Sequence, residues 1–228
     1  MESPHSLLAL LLLLGGILPL QPAAAQTAQM HSPIGPEAVW NPGPAIVSEV
    51  RQGCMQLSFP ELGTCFANGM KRAGATQEAV AFTHLLKNDA YLLKFIPAGG
   101  PDIAFVGFPF RANENDGCLL VNGNPQLIDV DDLQKLPQDE MKKDPMYASL
   151  LAESPKAMLW PGDRGDVNTV KMAPTTAAGR SFLVSYMLLN GCHACARLAT
   201  VWFQFDFDSA GKYLDTRYRK LERLPSVK

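Results

Sequence analysis

The chain has 228 residues and a formal net charge of −2 at pH 7, from 20 Lys and Arg against 22 Asp and Glu. This near-neutral balance argues against a nucleic-acid groove or a patch for anionic membranes, because both need a concentrated positive field. We therefore expect no nucleic acid as a partner. The expected partner is an unidentified protein or a polar ligand.

The N-terminus predicts export from the cytoplasm. An apolar, leucine-rich run extends from Leu7 to Leu20, and small residues follow it at Ala23, Ala24 and Ala25. This layout is typical of a secretory signal peptide, and the apolar run is shorter than the about 20 residues of a membrane span. We predict a signal peptide over 1–25 and a periplasmic or secreted mature protein. No insertion into the membrane is expected after the leader is removed.

The remaining chain predicts an arm followed by one domain. Residues 26–44 are rich in Pro and Gly and indicate an extended N-terminal arm, which Trp40 is expected to anchor on the core. The length of 45–228 suits a single domain. Apolar residues at helical spacing predict a helix over 45–55, and two start signals predict a helix each. The first signal is a capping box at Ser58–Glu61, and the second is a cap at Thr76.

The middle of the chain predicts strands followed by short helices. Apolar runs bounded by turn residues indicate the strands, over 90–97, 102–110, 118–123 and 126–130. Asp131 is expected to cap a short helix over 132–136, and a second short helix is predicted over 145–153. Residues 157–178 contain many Pro and Gly and predict a long loop with one short strand over 169–173.

The C-terminal part predicts an antiparallel meander. Residues 181–189 form an apolar run, and 200–207 alternate, with Val201, Phe203, Phe205 and Phe207 on the face expected to meet the core. A third strand, or a strand and then a helix, is predicted over 212–221. The fold class is therefore α+β, with an N-terminal helical pair or triplet followed by antiparallel sheet that ends in this meander.

The five cysteines are expected to form structural disulfide bonds, because exported proteins meet an oxidising compartment. An odd number leaves at least one thiol unpaired within the chain. Local pairing of Cys54 with Cys65 and of Cys192 with Cys195 is preferred, which leaves Cys118 free. The sequence alone does not choose among the possible pairings.

The Cys192–Cys195 pair encloses His193 and admits several hypotheses. A redox-active pair with this spacing normally lies at a helix N-terminus, which lowers the pKa of the thiol, whereas a strand pattern follows Cys195. A zinc site needs four ligands, and only one such pair is present. We therefore predict a structural closure of the hairpin, with no metal and no cofactor. A thiol–disulfide redox protein using this pair is the alternative.

Residues 189–208 give the interaction hypothesis a concrete form. A hairpin whose tip holds a histidine between two cysteines resembles the periplasmic lysozyme inhibitors of the Ivy type, although the spacing here is shorter. In that family the inhibitory loop holds a histidine between two disulfide-linked cysteines. The resemblance covers this segment alone and implies that His193, presented on a rigid tip, enters a cleft of a partner protein.

A polar loop supplies a second set of candidate contacts. It follows an apolar strand, and loops on a rigid sheet are where binding residues concentrate. The candidates for contact with a polar ligand or partner are Arg111, Asn113, Glu114 and Asn115. The tripeptide Arg164-Gly165-Asp166, known from adhesion ligands, is explained by turn composition. No catalytic motif is complete, which favours an exported binding protein over an enzyme.

Overall fold

A computed structural model describes residues 34–112, 115–174 and 179–225. All of them belong to the unit Pro33–Lys228. The predicted signal peptide and the candidate residues Asn113 and Glu114 lie outside the described residues. The helices are α1 (Pro44–Gln52), α2 (Glu61–Arg72), α3 (Gln77–Leu85), α4 (Gln138–Lys142) and α5 (Pro145–Glu153). The strands are β1 (Tyr91–Ile96), β2 (Asp102–Gly107), β3 (Asp116–Val121), β4 (Leu127–Asp129), β5 (Ala157–Pro161), β6 (Val170–Met172), β7 (Arg180–Asn190), β8 (Arg197–Phe207) and β9 (Tyr213–Arg223).

The strands form two antiparallel sheets. Sheet 1 has the order β1-β2-β3-β4, and sheet 2 has the order β5-β7-β8-β9, with β6 also paired to β7. Strands β7, β8 and β9 follow one another in sequence and in space, which is the predicted meander. The predicted α+β class is therefore confirmed, with three helices before the first strand. None of the helices in the described ranges has the length and hydropathy that crossing a bilayer requires.

The main core lies between the two sheets. Ile103 and Phe105 from sheet 1 belong to the same buried cluster as Tyr186 and Phe203 from sheet 2. The alternation predicted for β8 is confirmed, because its apolar residues with odd numbers are all buried in this cluster. Tyr186 and Phe203 meet edge to face with ring centroids 5.4 Å apart, a geometry favoured by the charge distribution of aromatic rings.

The helical layer covers the other face of sheet 1. Phe82 of α3 packs in a second buried cluster with Leu92 and Val106 of that sheet. Trp40, which is buried, donates its backbone N–H to the carbonyl of Leu92 over 2.8 Å. Its ring also packs edge to face on Tyr91 at 5.3 Å. Trp40 therefore ties the chain before α1 to the sheet, as its position in the arm predicts.

Two of the predicted helix caps, at Ser58 and at Asp131, are wrong. Pro60 occupies the cap position of α2, and no side chain caps that helix. The hydroxyl of Ser58 instead donates to the carboxylate of Glu61 over 2.8 Å. Asp132, and not Asp131, accepts the capping hydrogen bond of the short 3-10 turn Leu133–Lys135. The prediction at Thr76 is confirmed, because its hydroxyl accepts the N–H of Ala79 over 3.0 Å.

The long loop predicted over 157–178 is interrupted earlier than expected. Residues Ala157–Pro161 form strand β5, which pairs along β7 from Tyr186 to Asn190. The short strand expected further on is present as β6. Strand β5 matters for function because it lies beside the end of β7 that leads into the cysteine pair.

Candidate functional site

The cysteine pair closes the turn between β7 and β8. We call Asn190–Ala196 the tip loop. The N–H of Asn190 donates to the carbonyl of Ala196 over 3.0 Å, and the N–H of Cys195 donates to the carbonyl of Cys192 over 3.0 Å. A disulfide bond joins Cys192 to Cys195, whose Cα atoms lie 5.0 Å apart. Backbone hydrogen bonds and a covalent bond therefore fix the same few residues.

His193 stands on this loop with its side chain exposed. Its ring packs on Trp160 of β5, with centroids 5.2 Å apart and planes inclined by 39°. Trp160 is itself opposite Met187 in the register of sheet 2. The imidazole is thus presented at the surface while the sheet holds it against an aromatic neighbour, which limits its rotamers and the entropy that binding would cost.

A cavity of about 470 Å³ opens beside His193, and we call it the His193 cavity. It brings His193 together with Asn115, two candidates that lie far apart in the sequence. Polar, aromatic and apolar groups share the wall. The residues that line it are Ala112, Asn115, Asp116, Trp160, Pro161, Gly162, Asp163, Arg164, Met187 and His193.

A second cavity of about 320 Å³ adjoins the first, and we call it the Tyr91 cavity. Asn115 and Asp116 belong to the walls of both cavities. We call the two adjoining cavities together the groove, and its lining includes Arg51 of α1, Asp116 and His193 of the tip loop. The groove is therefore shared by the helical layer, sheet 1 and sheet 2.

Carboxylates dominate the electrostatics where the two cavities meet. Partial burial of Asp116 raises the pKa of its carboxyl, and the charge of Asp163 raises it further. Burial also raises the pKa of Tyr91 to about 12, with a further contribution from the charge of Asp116. The strand register places Tyr91 and Asp116 on either side of Gly107, and Asp116 and Asp163 line the same cavity. Negative charge therefore concentrates at the middle of the groove.

Arg164 supports the floor of the groove from inside. Its side chain is 1% exposed, and its Nε donates to the carboxylate of Asp131 over 2.8 Å. A further donor of the guanidinium reaches the carbonyl of Ser185 in β7 over 3.1 Å. Burial opposes its charged form, but Asp131 outweighs burial and holds the pKa of Arg164 above its usual value. A receptor has no access to this arginine, which removes the adhesion tripeptide as an exposed motif.

The other candidate of the polar loop lies elsewhere. Arg111 pairs with Asp89 over 2.9 Å, and its guanidinium lies 3.3 Å above the ring of Phe108. It lines neither cavity. The structure therefore brings Asn115 and His193 together and directs Arg111 towards the helical layer.

Sequence reasoning missed most of the residues that line the groove, among them Tyr91, Asp116, Trp160 and Asp163. Tyr91 falls within the predicted strand over 90–97, and Asp116 falls between the predicted strands over 102–110 and 118–123. Trp160 and Asp163 fall in the segment predicted as a loop. The available signal was the density of polar and aromatic residues around 160–164, which indicates a surface site only when its spatial neighbours are known.

The remaining cysteines form a second disulfide bond and one buried thiol. Cys54 is bonded to Cys65, so both disulfide bonds are the local ones preferred from spacing. Cys118 has a free thiol, and burial raises its pKa above the usual value. Strand β8 follows Cys195, so no helix N-terminus is aimed at that pair. In the described part of the chain, no three His, Cys, Asp or Glu side chains are grouped to hold a metal ion.

Comparisons with known proteins found no match for this chain. No model of a known protein family matches the chain. No curated protein and no solved structure matches it either. The function therefore has to be inferred from the residues and their geometry.

Proposed function

We propose that this is an exported protein that acts by binding a partner protein, with the tip loop entering a cleft of that partner. The observation that carries the proposal is the exposed His193, held on a disulfide-closed turn and packed against Trp160. Groups that are already ordered before binding lose little entropy on association, so a fixed loop favours recognition.

The strands below the tip loop make it a rigid projection. Strands β7 and β8 are each 11 residues long and pair along most of their length. Their inner faces carry the main core, including Phe182 and Phe203, both fully buried. A projection with this much buried apolar surface beneath it keeps its shape when it enters a cleft.

Export is part of the proposal and has separate support. The apolar leader followed by small residues favours removal of residues 1–25. Two disulfide bonds fit an oxidising compartment, where such bonds persist. Intact-mass measurement of the protein recovered from outside the cytoplasm is expected to give a chain beginning at Gln26.

Binding fits the tip loop better than catalysis by its sulfurs. A catalytic dithiol needs a stabilised thiolate, and the nearest arginine, Arg197, donates instead to the hydroxyl of Thr200 over 2.8 Å. The strand after Cys195 offers no helix dipole. The redox alternative would therefore have to draw on a cation such as a protonated His193, whose ring packs on Trp160.

The local resemblance to lysozyme inhibitors supplies a partner for the test. Purified protein is titrated into lysozyme, and both binding and hydrolysis of cell-wall substrate are followed. The wild type is expected to bind and inhibit. His193→Ala is expected to weaken both by tenfold or more, because it removes the group that the tip loop presents.

His84→Ala is the matched control, since His84 is also an exposed histidine but lies on α3. It is expected to behave like the wild type. Equal inhibition by all three proteins would contradict the role of the tip loop. Absence of binding by the wild type would rule out lysozyme as the partner.

A further inference from the structure

The middle of the groove holds two carboxylates that lack a cationic partner. Within the described ranges, neither Asp116 nor Asp163 takes part in an ion pair. Asp163 accepts one hydrogen bond, from the N–H of Gly165 over 3.0 Å. Arg164 lines the His193 cavity, but Asp131 already neutralises its guanidinium. Arg51 lines the Tyr91 cavity with Asp116, yet it forms no ion pair with either carboxylate. Two like charges in one cavity repel each other, so a cation placed between them would be stabilised.

Tyr91 provides a second and independent indication of a ligand. Its side chain is 6% exposed and lines the Tyr91 cavity beside Asp116. Burial raises the pKa of Tyr91, and the charge of Asp116 raises it further. No hydrogen bond to a described residue is among the causes of this shift. The side chain as a whole is buried, but its hydroxyl is not sealed from solvent and borders the open groove, where it can donate a hydrogen bond to a ligand.

The ring of Trp160 completes the wall on the side of the tip loop. It lines the His193 cavity together with Asp163, and His193 packs against it. Aromatic faces attract organic cations through the negative charge above the ring. A carboxylate pair next to a tryptophan therefore favours a guanidinium or ammonium group over a neutral ligand.

The same geometry disfavours a metal ion as the occupant. Calcium takes six to eight oxygen ligands, and magnesium takes six. The described residues do not gather a third acidic or histidine ligand with Asp116 and Asp163. An organic cation needs fewer contacts and can also donate hydrogen bonds to both carboxylates.

We propose that the groove binds the cationic side chain of an Arg or Lys residue of the partner between Asp116 and Asp163. This inference rests on the proposed function, because it assigns the chemistry of the partner surface that lies beside the tip loop. When the tip loop enters a cleft, a basic side chain at the rim of that cleft would reach the groove.

The test uses the full disulfide-bonded protein and three small probes. N-acetylarginine methylamide, its lysine counterpart and the neutral citrulline counterpart are titrated while NMR signals are followed. The reporting signals are the indole N–H of Trp160 and the backbone amide of Asn115. Saturable shifts are expected with the arginine or the lysine probe and not with the citrulline probe, which has nearly the shape of arginine but no charge.

Variants localise the binding. Asp116→Asn combined with Asp163→Asn is expected to weaken binding of the cationic probe by tenfold or more. Both side chains reach solvent, although Asp116 is partly desolvated, so the substitution is expected to be compatible with the fold. Asp163→Asn alone is the second variant if the pair destabilises the protein. Asp139→Asn is the control, because that carboxylate lies on α4 and outside the groove.

Three results would overturn the inference. They are equal shifts with the citrulline probe, unchanged binding in the double variant, and no saturable shift with either cationic probe. The probe titration needs no partner protein, so it tests this site separately from the tip loop. Probe binding without any lysozyme binding would leave the cation site standing and refute lysozyme as the partner.

Discussion

The two disulfide-closed loops of this protein differ in what their bonds can do. Cys54 and Cys65 are separated by 11 residues and tie α1 to α2, and Cys54 is 1% exposed. Cys192 and Cys195 are separated by 3 residues and lie at the surface, with Cys192 exposed. A bond that closes a longer loop removes more freedom from the unfolded chain. The first bond therefore mainly stabilises the fold, whereas the second mainly shapes a surface.

The region around the tip loop gains its stability from the packing and polar contacts beneath it. Arg164 joins Asp131 to the backbone of β7 at Ser185, and Asp131 also accepts the N–H of Cys118 over 2.8 Å. These contacts link the two sheets directly under the groove. We therefore expect that removing the contacts of Arg164 lowers the free energy of unfolding by more than removing either disulfide bond.

The largest effect is expected for Arg164→Met. The substitution keeps the buried stem but leaves the carboxylate of Asp131 without its ion-pair partner, which costs about 3–5 kcal/mol in buried pairs. Urea denaturation followed by tryptophan fluorescence gives the free energy of unfolding. The matched control is Arg217→Met, whose ion pair with Asp206 involves an arginine side chain that is 51% exposed, with an expected cost of at most about 1 kcal/mol.

Equal losses for the two arginine variants would show that the contacts under the groove are no more important than a surface pair. That outcome would also remove the main physical difference between the two regions. A larger loss for Arg164→Met is the expected result.

The second effect concerns the bond between α1 and α2. Replacing Cys54 and Cys65 together by Ser is expected to lower the free energy of unfolding by about 2–3 kcal/mol, from the loop entropy alone. Lysozyme binding by the folded variant is expected to stay at the wild-type value, because the bond is remote from the tip loop. Thermal unfolding and a binding titration on the same sample measure both quantities. Loss of binding by a folded variant would contradict this division of roles.

Local patterns in the sequence were sufficient for most of the fold. The alternation from Val201 to Phe207 predicts β8 and its buried face, because neighbouring side chains of a strand point to opposite sides. The pattern for β5 was hidden by its shortness and by Pro161 and Gly162 at its end, residues that usually mark turns. The cap predicted at Asp131 was wrong because that carboxylate pairs with Arg164, which leaves the neighbouring Asp132 to cap the turn. No local pattern encodes the tertiary pairing with Arg164.

The candidate site was predictable only in its separate parts. The sequence indicates His193 because two cysteines enclose it, and it indicates Asn115 because a polar loop follows a strand. Their meeting in one cavity depends on the position of β5 beside β7 and of β3 beside β2, which no local pattern encodes. The approach of Asp163 to Asp116 has the same origin, so the carboxylate pair is visible only in the folded chain.

The most direct test of the recognition role of the tip loop is the double replacement of Cys192 and Cys195 by Ser. Closure of so short a loop contributes about 2 kcal/mol by the chain-entropy relation, so the variant is expected to fold. Lysozyme binding and inhibition are expected to fall by tenfold or more, because His193 loses its fixed presentation. Wild-type binding by this variant would contradict the account. Insulin reduction by the wild type that this variant loses, together with no lysozyme inhibition by either protein, would assign the cysteine pair to redox chemistry instead.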